Sequence, residues 1–437
     1  MKQGKGWTFI HNGKLFDGTG SQPLSKGAVL IKDGRIEYAG PEAHAPPAPL
    51  QALWIDARDG TIMPGLIEPH FHATYFNVAE LADLDIKYPG EYVALLAAAN
   101  ARLALECGYT SVRSCGSVHN IDFWLKKAIE DDLVPGPRMA ASGREICGSG
   151  GLMDWNPGHL KLGMDGLILL VDGPVQARAA VRQLAKDGVE WVKTYPTGDA
   201  GSARADPHSL CMTPDELNAA AAEAHNYKMK ITGHCRATQG IKNALVAGFD
   251  TLEHATFIDS ETLDLLLARH VPVIPGLYFE WASVERGKEF KMPQRAIDSH
   301  KETLEFGAES ARKILKAGGR LGLGGDYGFA WNPHGDYAKE LGFFVEYVGF
   351  GVLDTLRCAT KTGAEILGRE KELGTLAPGK LADVLVVDGD ATSDIRVLED
   401  RSRLLAVLQG GVVKAGRLAR APALPTLEGA GPRRLSP

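Results

Sequence analysis

Short apolar runs alternating with polar residues open the chain. GWTFIHNGKLFDGTG is followed by KGAVLIKDGRIEYAG, where Asp33 and Gly34 separate two alternating stretches as a tight hairpin turn does. The stretch 41–50, PEAHAPPAPL, is a proline-rich connector. A strand, turn, strand texture returns near the C-terminus in GKLADVLVVDGD and LAVLQGGVVKAGR. The two ends therefore read as halves of one small β domain, residues 1–60 with 368–425, and 426–437 as a loose tail.

Between them, over 61–367, apolar runs alternate with alanine-rich amphipathic stretches, the pattern of βα units around a parallel sheet. Strands are predicted at 61–67, 109–113, 137–141, 189–195, 229–233, 250–253, 271–275 and 320–324, the strand number of a (β/α)8 TIM barrel. EYVALLAAANARLALECG reads as the helix before the second strand. TPDELNAAAAEAHN, capped by Thr213 and opened by Pro214, reads as the one before the fifth. Three connections are long and rich in glycine, proline and aromatic residues: CGSGGLMDWNPGHLKLGMDG, PTGDAGSARADPHSLCM and LYFEWASVERGKEFKMP. They read as loops over the C-terminal face of the barrel. The expected fold class is α/β: a TIM barrel with a small composite β-sandwich built from the two terminal segments.

Composition narrows the function classes. The 437 residues are 44% hydrophobic and carry a net charge of -6, with no basic, aromatic-interleaved stretch, so no nucleic-acid partner is expected. MKQGKGWTFI lacks an apolar h-region, and no window reaches the roughly 18 apolar residues of a membrane span, so the reading is cytoplasmic. Six scattered cysteines form no C-x-x-C pair, which argues against a disulfide framework or a thiolate zinc site. Histidine, carboxylate and lysine remain as possible ligands.

His70 and His72, in PGLIEPHFHAT, are two apart in extended chain, so both imidazoles point to one side, roughly 7 Å apart at Cα, and can reach one ion. His234 ends the predicted fifth strand, His254 the sixth and Asp326 the eighth. In a barrel these strand ends converge on one mouth. Lys193 sits in the apolar fourth strand, VEWVKTYP, where an ammonium must be exposed, ion-paired or chemically changed. Burial favours the neutral, nucleophilic amine, so a carbamate made with carbon dioxide is one of these outcomes, and its two oxygens can bridge two metals. His11, His44, His119, His225, His270 and His300 read as structural or surface residues, His159 and His208 as residues of lid-like loops, and His334 as a cap of the next helix in preference to a residue lining the mouth.

MPGLIEPHFHAT, WVKTY, GHCRATQGIKNALVAGFDTLEHATFID, LGLGGDYG with a following HGDYAKEL, and ATKTGAEILGREKELGTLAPGKLADVLVVDGD together resemble the amidohydrolase superfamily over nearly the whole chain. The similarity is to imidazolonepropionase relatives, and the lysine on strand four resembles the binuclear branch with Xaa-Pro dipeptidases and ochratoxin-hydrolysing amidases. The resemblance implies two divalent ions, zinc first: His70, His72 and Asp326 on the more buried one, His234 and His254 on the other, and N6-carboxylated Lys193 bridging. It implies Asp326 as the proton acceptor and Lys193 as its catalytic companion. Tyr195 and His208 stand where that branch contacts a substrate carboxylate, and Arg236 is a further candidate. By analogy the chain is also a homo-oligomer acting on a small amide or dipeptide. Glu68 stands where an aspartate is usual, Ser114 where strand two often has one, and Leu152 where a histidine is common, so the substrate is not inherited directly. The alternatives are a hydrolase of a cyclic amide, lactone or heteroaromatic ring on the same scaffold, and a non-catalytic protein of this fold.

Overall fold

A computed structural model describes residues 4–159, 166–202 and 204–419; the expected tail at 426–437 and the end of the second β segment lie outside the described residues. Strands β1 (Trp7–Leu15), β2 (Leu24–Lys32), β3 (Arg35–Pro41), β4 (Leu53–Asp56) and β5 (Thr61–Pro64) begin the chain. Asp33 and Gly34 both have positive φ (48° and 80°), as the hairpin turn between β2 and β3 requires.

The parallel elements follow as β6 (Leu66–Phe71), β7 (Tyr109–Ser114), β8 (Arg138–Ala140), β9 (Glu145–Gly148), β10 (Ile168–Val171), β11 (Trp191–Thr194), β12 (Lys230–Cys235), β13 (Thr251–His254) and β14 (Val273–Ile274). The chain returns through β15 (Val384–Val387), β16 (Leu404–Gln409) and β17 (Val412–Ala415). One eight-stranded sheet joins both ends of the chain in the order β17-β16-β15-β5-β1-β2-β3, with β4 on β1. Alternation in β15 divides the work: Val384 and Val386 pack into a core of this sheet with Ile10, Ile31, Ile62 and Leu408, while Leu385 and Val387 join the main core.

The remaining strands form two parallel sheets, β6-β7-β8 and β10-β9-β11-β12-β13-β14. Ala141, just beyond β8, accepts from the amides of Glu190 and Trp191 at the start of β11. At the far side Val273 bridges Leu321, and a Cβ at Gly324 would lie 2.9 Å from the His70 amide. Helices separate β6 from β7, β7 from β8, and each strand from β10 to β14 from the next. The one at Pro214–Asn226 begins with a full capping box between Thr213 and Glu216, as its sequence predicts.

The structure corrects several expectations. The predicted strand at 61–67 belongs to two sheets, with Thr61–Pro64 in the composite sheet and Leu66–Phe71 in the parallel one, because Gly65 passes so close to β7 that a Cβ there would meet Thr110 Oγ1 at 2.1 Å. EICG (β9) and ILLV (β10) are strands that the sequence reading omits, and the strand expected at 320–324 is only an isolated bridge from Leu321 to Val273. LYFEWASVER is a helix, Leu277–Arg286, rather than a loop; Gly276 turns the chain at φ 62°, and Leu277, Tyr278, Ala282 and Ser283 are buried. No helix among the described residues is long and apolar enough to cross a membrane.

Candidate metal centre

His70 lies in β6 and His72 just past it, His234 lies in β12, His254 ends β13, and Asp326 follows the Leu321 bridge. All five are buried. The rings form a chain, with centroids 5.3 Å apart for His70 and His72, 5.4 Å for His70 and His254, and 4.4 Å for His234 and His254. Asp326 Oδ1 stands 3.6 Å from His70 Nε2 and 3.2 Å from His72 Nε2. Donor atoms of His70, His72 and Asp326 lie within 4.8 Å of one another, as do those of His234, His254 and Asp199.

Backbone strain shapes this cluster. His254, Ala255 and Asp326 have φ of 67°, 46° and 52°, left-handed values that cost a non-glycine residue about 1–3 kcal/mol each and concentrate at functional sites. The turn at His254 breaks strand alternation, so Glu253 and His254 both reach the cluster. Asn332 Nδ2 secures the other turn by donating to the carbonyls of Gly325 and Asp326, at 2.7 and 3.1 Å.

The donors fit metal ions. Both ring nitrogens of His254, and Nδ1 of His70 and of His72, are buried and make no hydrogen bond among the described residues. Each such orphan costs about 1–3 kcal/mol unless something else satisfies it. Burial lowers His70 to about 3, and burial likewise lowers His234 and His254, so these imidazoles are neutral, the form that ligates cations. Burial works to raise Asp326, but facing His70 and His72 hold it at about 2.

Lys193 is buried beside this cluster, its amine bonded to the Glu253 carboxylate. Glu253 also accepts from Arg113 Nη2 (2.9 Å), Thr232 Oγ1 (3.0 Å) and Cys115 Sγ (3.2 Å). Burial, the largest single influence, would by itself lower Lys193, as the sequence reading assumed, but Glu253, Cys115 and Glu145 together outweigh it and the net shift is upward. Burial likewise works to raise Glu253, while Lys193, His70 and Arg113 hold it well below the usual carboxylate range. Glu253 is thus a central residue that sequence reasoning passed over.

A second layer stands behind His72. Glu145 Oε2 accepts from Tyr195 Oη at 2.5 Å and Oε1 from Tyr75 Oη at 3.3 Å, and Oε1 lies 3.8 Å from His72 Nδ1. Burial raises Glu145 to about 7 against the opposing effects of His72 and Lys193. His334 is a buried brace rather than a helix cap, with Nδ1 2.7 Å from Tyr337 Oη and Nε2 2.8 Å from the Tyr75 carbonyl.

The cluster forms the floor of a cavity of about 480 Å³, walled by Leu152, Met153, Trp155, Phe279, Phe329 and Trp331. Tyr195 lines it, with its ring stacked on His234 at 5.4 Å. Arg236 is buried behind the lining, where its guanidinium donates to Asp199, Glu280 and Thr256. The structure does not bring His208 to the lining; its ring stacks on Phe257 at 4.4 Å and its side chain is half exposed. His300, expected to be structural or surface, is buried and lines the cavity.

A model of the amidohydrolase family matches residues 61–414. Ochratoxinase from Aspergillus niger is 28% identical over 443 aligned positions, covering 94% of this chain and 87% of that protein. Among solved structures, a Xaa-Pro dipeptidase with bound methionine in the active site superposes with a TM-score of 0.84 at 29% identity, covering 93% of this chain and 99% of the other. A. niger ochratoxinase superposes with a TM-score of 0.82 at 25% identity, covering 94% and 96%.

Proposed function

The chain belongs to the amidohydrolase family, and from that premise we propose that it binds two divalent cations and hydrolyses an amide bond to an amino acid with a free carboxylate. The observation that carries this reading is the cluster of buried imidazoles at the cavity, in which Nε2 of His70 and of His72 face Asp326 and both ring nitrogens of neighbouring His254 are left without a partner among the described residues. The hydrogen bonds at Ala141, the bridge at Leu321 and the approach of Gly324 to His70 support reading the parallel sheets as one (β/α)8 barrel, with residues 61–367 as the hydrolase domain. The composite sheet of 1–60 and 368–425 would be the second domain.

His70, His72 and Asp326 would hold one ion and His234 and His254 the other, with Lys193 between them as a carbamate. These nitrogen and oxygen donors suit zinc, and also manganese, cobalt or iron. When bound, such ions lower the pKa of water and polarise a carbonyl. Carbamate formation would need the Lys193 ammonium to leave Glu253 and lose one proton, and the amine nitrogen to lose a second as it bonds the carbon of carbon dioxide. Asp326 takes the proton of the attacking water and delivers it to the leaving nitrogen. The aromatic wall at Phe279, Phe329 and Trp331 suits an apolar acyl or side-chain group.

Elemental analysis after purification in zinc or manganese should give about two metals per chain, as the two-ion arrangement requires. A ratio near one with full activity removes the bridged site.

Among the three expected carboxylate contacts, Tyr195 stands at the cavity and His208 and Arg236 do not, while Arg204 and Lys291 are further cations on the lining. Recognition of a carboxylate is tested by comparing N-acyl-phenylalanine or X-Pro substrates with their C-terminal amides. Amidation should lower kcat/KM by about 1.5–3 kcal/mol of charge-assisted hydrogen bonding, roughly tenfold to a hundredfold. Equal rates on acids and amides would favour the ring-amide or lactone reading.

A further inference from the structure

Beside the metal cluster, and sharing Asp199 with it, lies a second group of charged side chains. Asp199 comes from the loop after β11, Glu280 from the helix Leu277–Arg286, and His300 from the helix Gln294–Lys316. Their polar atoms lie within 4.8 Å of one another. Two carboxylates here share one guanidinium, since Arg236 donates to both Asp199 and Glu280. A buried group with surplus negative charge is costly unless a cation completes it.

The hydrogen bonds show where that cation would sit. His300 Nδ1 is 2.7 Å from Glu280 Oε2, which also accepts from Thr303 Oγ1 at 2.7 Å. A neutral ring that donates to Glu280 from Nδ1 carries a lone pair on Nε2. Nε2 lies toward Gly201, itself on the cavity lining, where a Cβ would be 3.7 Å away. Asp199 Oδ2 is held by Arg236 at 2.9 Å and lies 3.1 Å from His234 Nε2, whereas Oδ1 is buried with no hydrogen-bond partner. Two acceptors of one acidic cluster are thus presented at the wall of the reaction cavity, with Arg236 and Glu280 fixing them from behind.

We propose that Asp199 Oδ1 and His300 Nε2 form a subsite for the protonated α-amino group of the substrate's acyl residue, so that the enzyme prefers dipeptides to N-acyl amino acids. This rests on the amide-hydrolase reading and narrows it to one substrate class. An α-ammonium fits because its charge balances the cluster, its hydrogens match the two acceptors, and its free pKa of about 7.7–8.0 keeps it charged at neutral pH. Asp199 and His300 are here specificity-determining residues; Glu280 and Arg236 are positioning residues.

The test uses a pair differing only in the amine, Phe-Ala and 3-phenylpropanoyl-Ala. Both are assayed for kcat/KM on the wild-type enzyme, and for Kd by calorimetry on Asp326→Asn, which reads the subsite without turnover. The dipeptide should be favoured about tenfold to a hundredfold in each measurement, the size of a charge-assisted hydrogen bond. Asp199→Asn should bring the ratio to within about threefold of one. His300→Leu should reduce it more than His300→Gln, which keeps an acceptor oxygen. Because each ratio is taken within one variant, a general loss of metal or activity cancels. A wild-type ratio near or below one, a ratio unchanged in Asp199→Asn, or a third equivalent of metal that disappears in His300→Leu would overturn the subsite. Tighter dipeptide binding with no cleavage of either compound would instead retain the subsite and remove the amide-hydrolase reading.

Discussion

Asp326→Asn should lower kcat by about 10²–10⁴-fold, the range general acid–base catalysis supplies, while substrate Kd changes little. Asparagine preserves the shape that Asn332 holds in place, but its amide has no carboxylate to accept a proton from the attacking water. It also removes the negative charge facing His70 and His72. Turnover and binding measured in parallel separate the two effects. An asparagine variant within tenfold of wild-type turnover would remove Asp326 as the base.

Lys193→Ala carries the second large expected effect. Glu253 loses its amine partner and keeps Arg113, Thr232 and Cys115, and breaking a buried pair costs about 3–5 kcal/mol. Thermal unfolding should register that loss whatever the role of Lys193 in catalysis. The bridging role is read separately: activity should fall at least about a hundredfold with loss of metal, and acetate, propionate or bicarbonate should restore part of both by supplying the missing carboxylate oxygens. A lowered Tm with unchanged turnover would make Lys193 only the counter-ion of Glu253.

The histidines were legible because strand periodicity and the convergence of strand ends are properties of sequence order. His70 and His72 share a side of extended chain, and the apolar runs before His234 and His254 mark where their strands stop. Glu253 was not legible, because alternation places neighbouring residues on opposite faces, and only the left-handed turn at His254 brings both to the cluster. Asp199 and Glu145 lay outside the reading, and His300 was read as structural or surface, for a different reason. Their surroundings are assembled from loops and helices whose approach no local pattern encodes. Arg236 shows the same limit: its charge is plain in the sequence, but its two carboxylate partners come from distant segments. The helix at Leu277–Arg286 was missed because its aromatic content resembles that of an active-site loop, while its packing is decided by the core beneath it.

The junction at Gly65 has a consequence for the order in which the enzyme is made. β5 runs straight into β6, the strand that carries His70, and β5 pairs Pro64 with Val384 in β15. Contacts that span so much of the chain form late, since they wait for the intervening segment to close. On a translating ribosome the N-terminal strands emerge first, yet the strand that anchors them beside the metal cluster is synthesised near the end. A nascent chain halted before residue 384 would therefore carry His70, His72, His234, His254 and Asp326 with β6 able to pair with β7 but with β5 lacking its β15 partner.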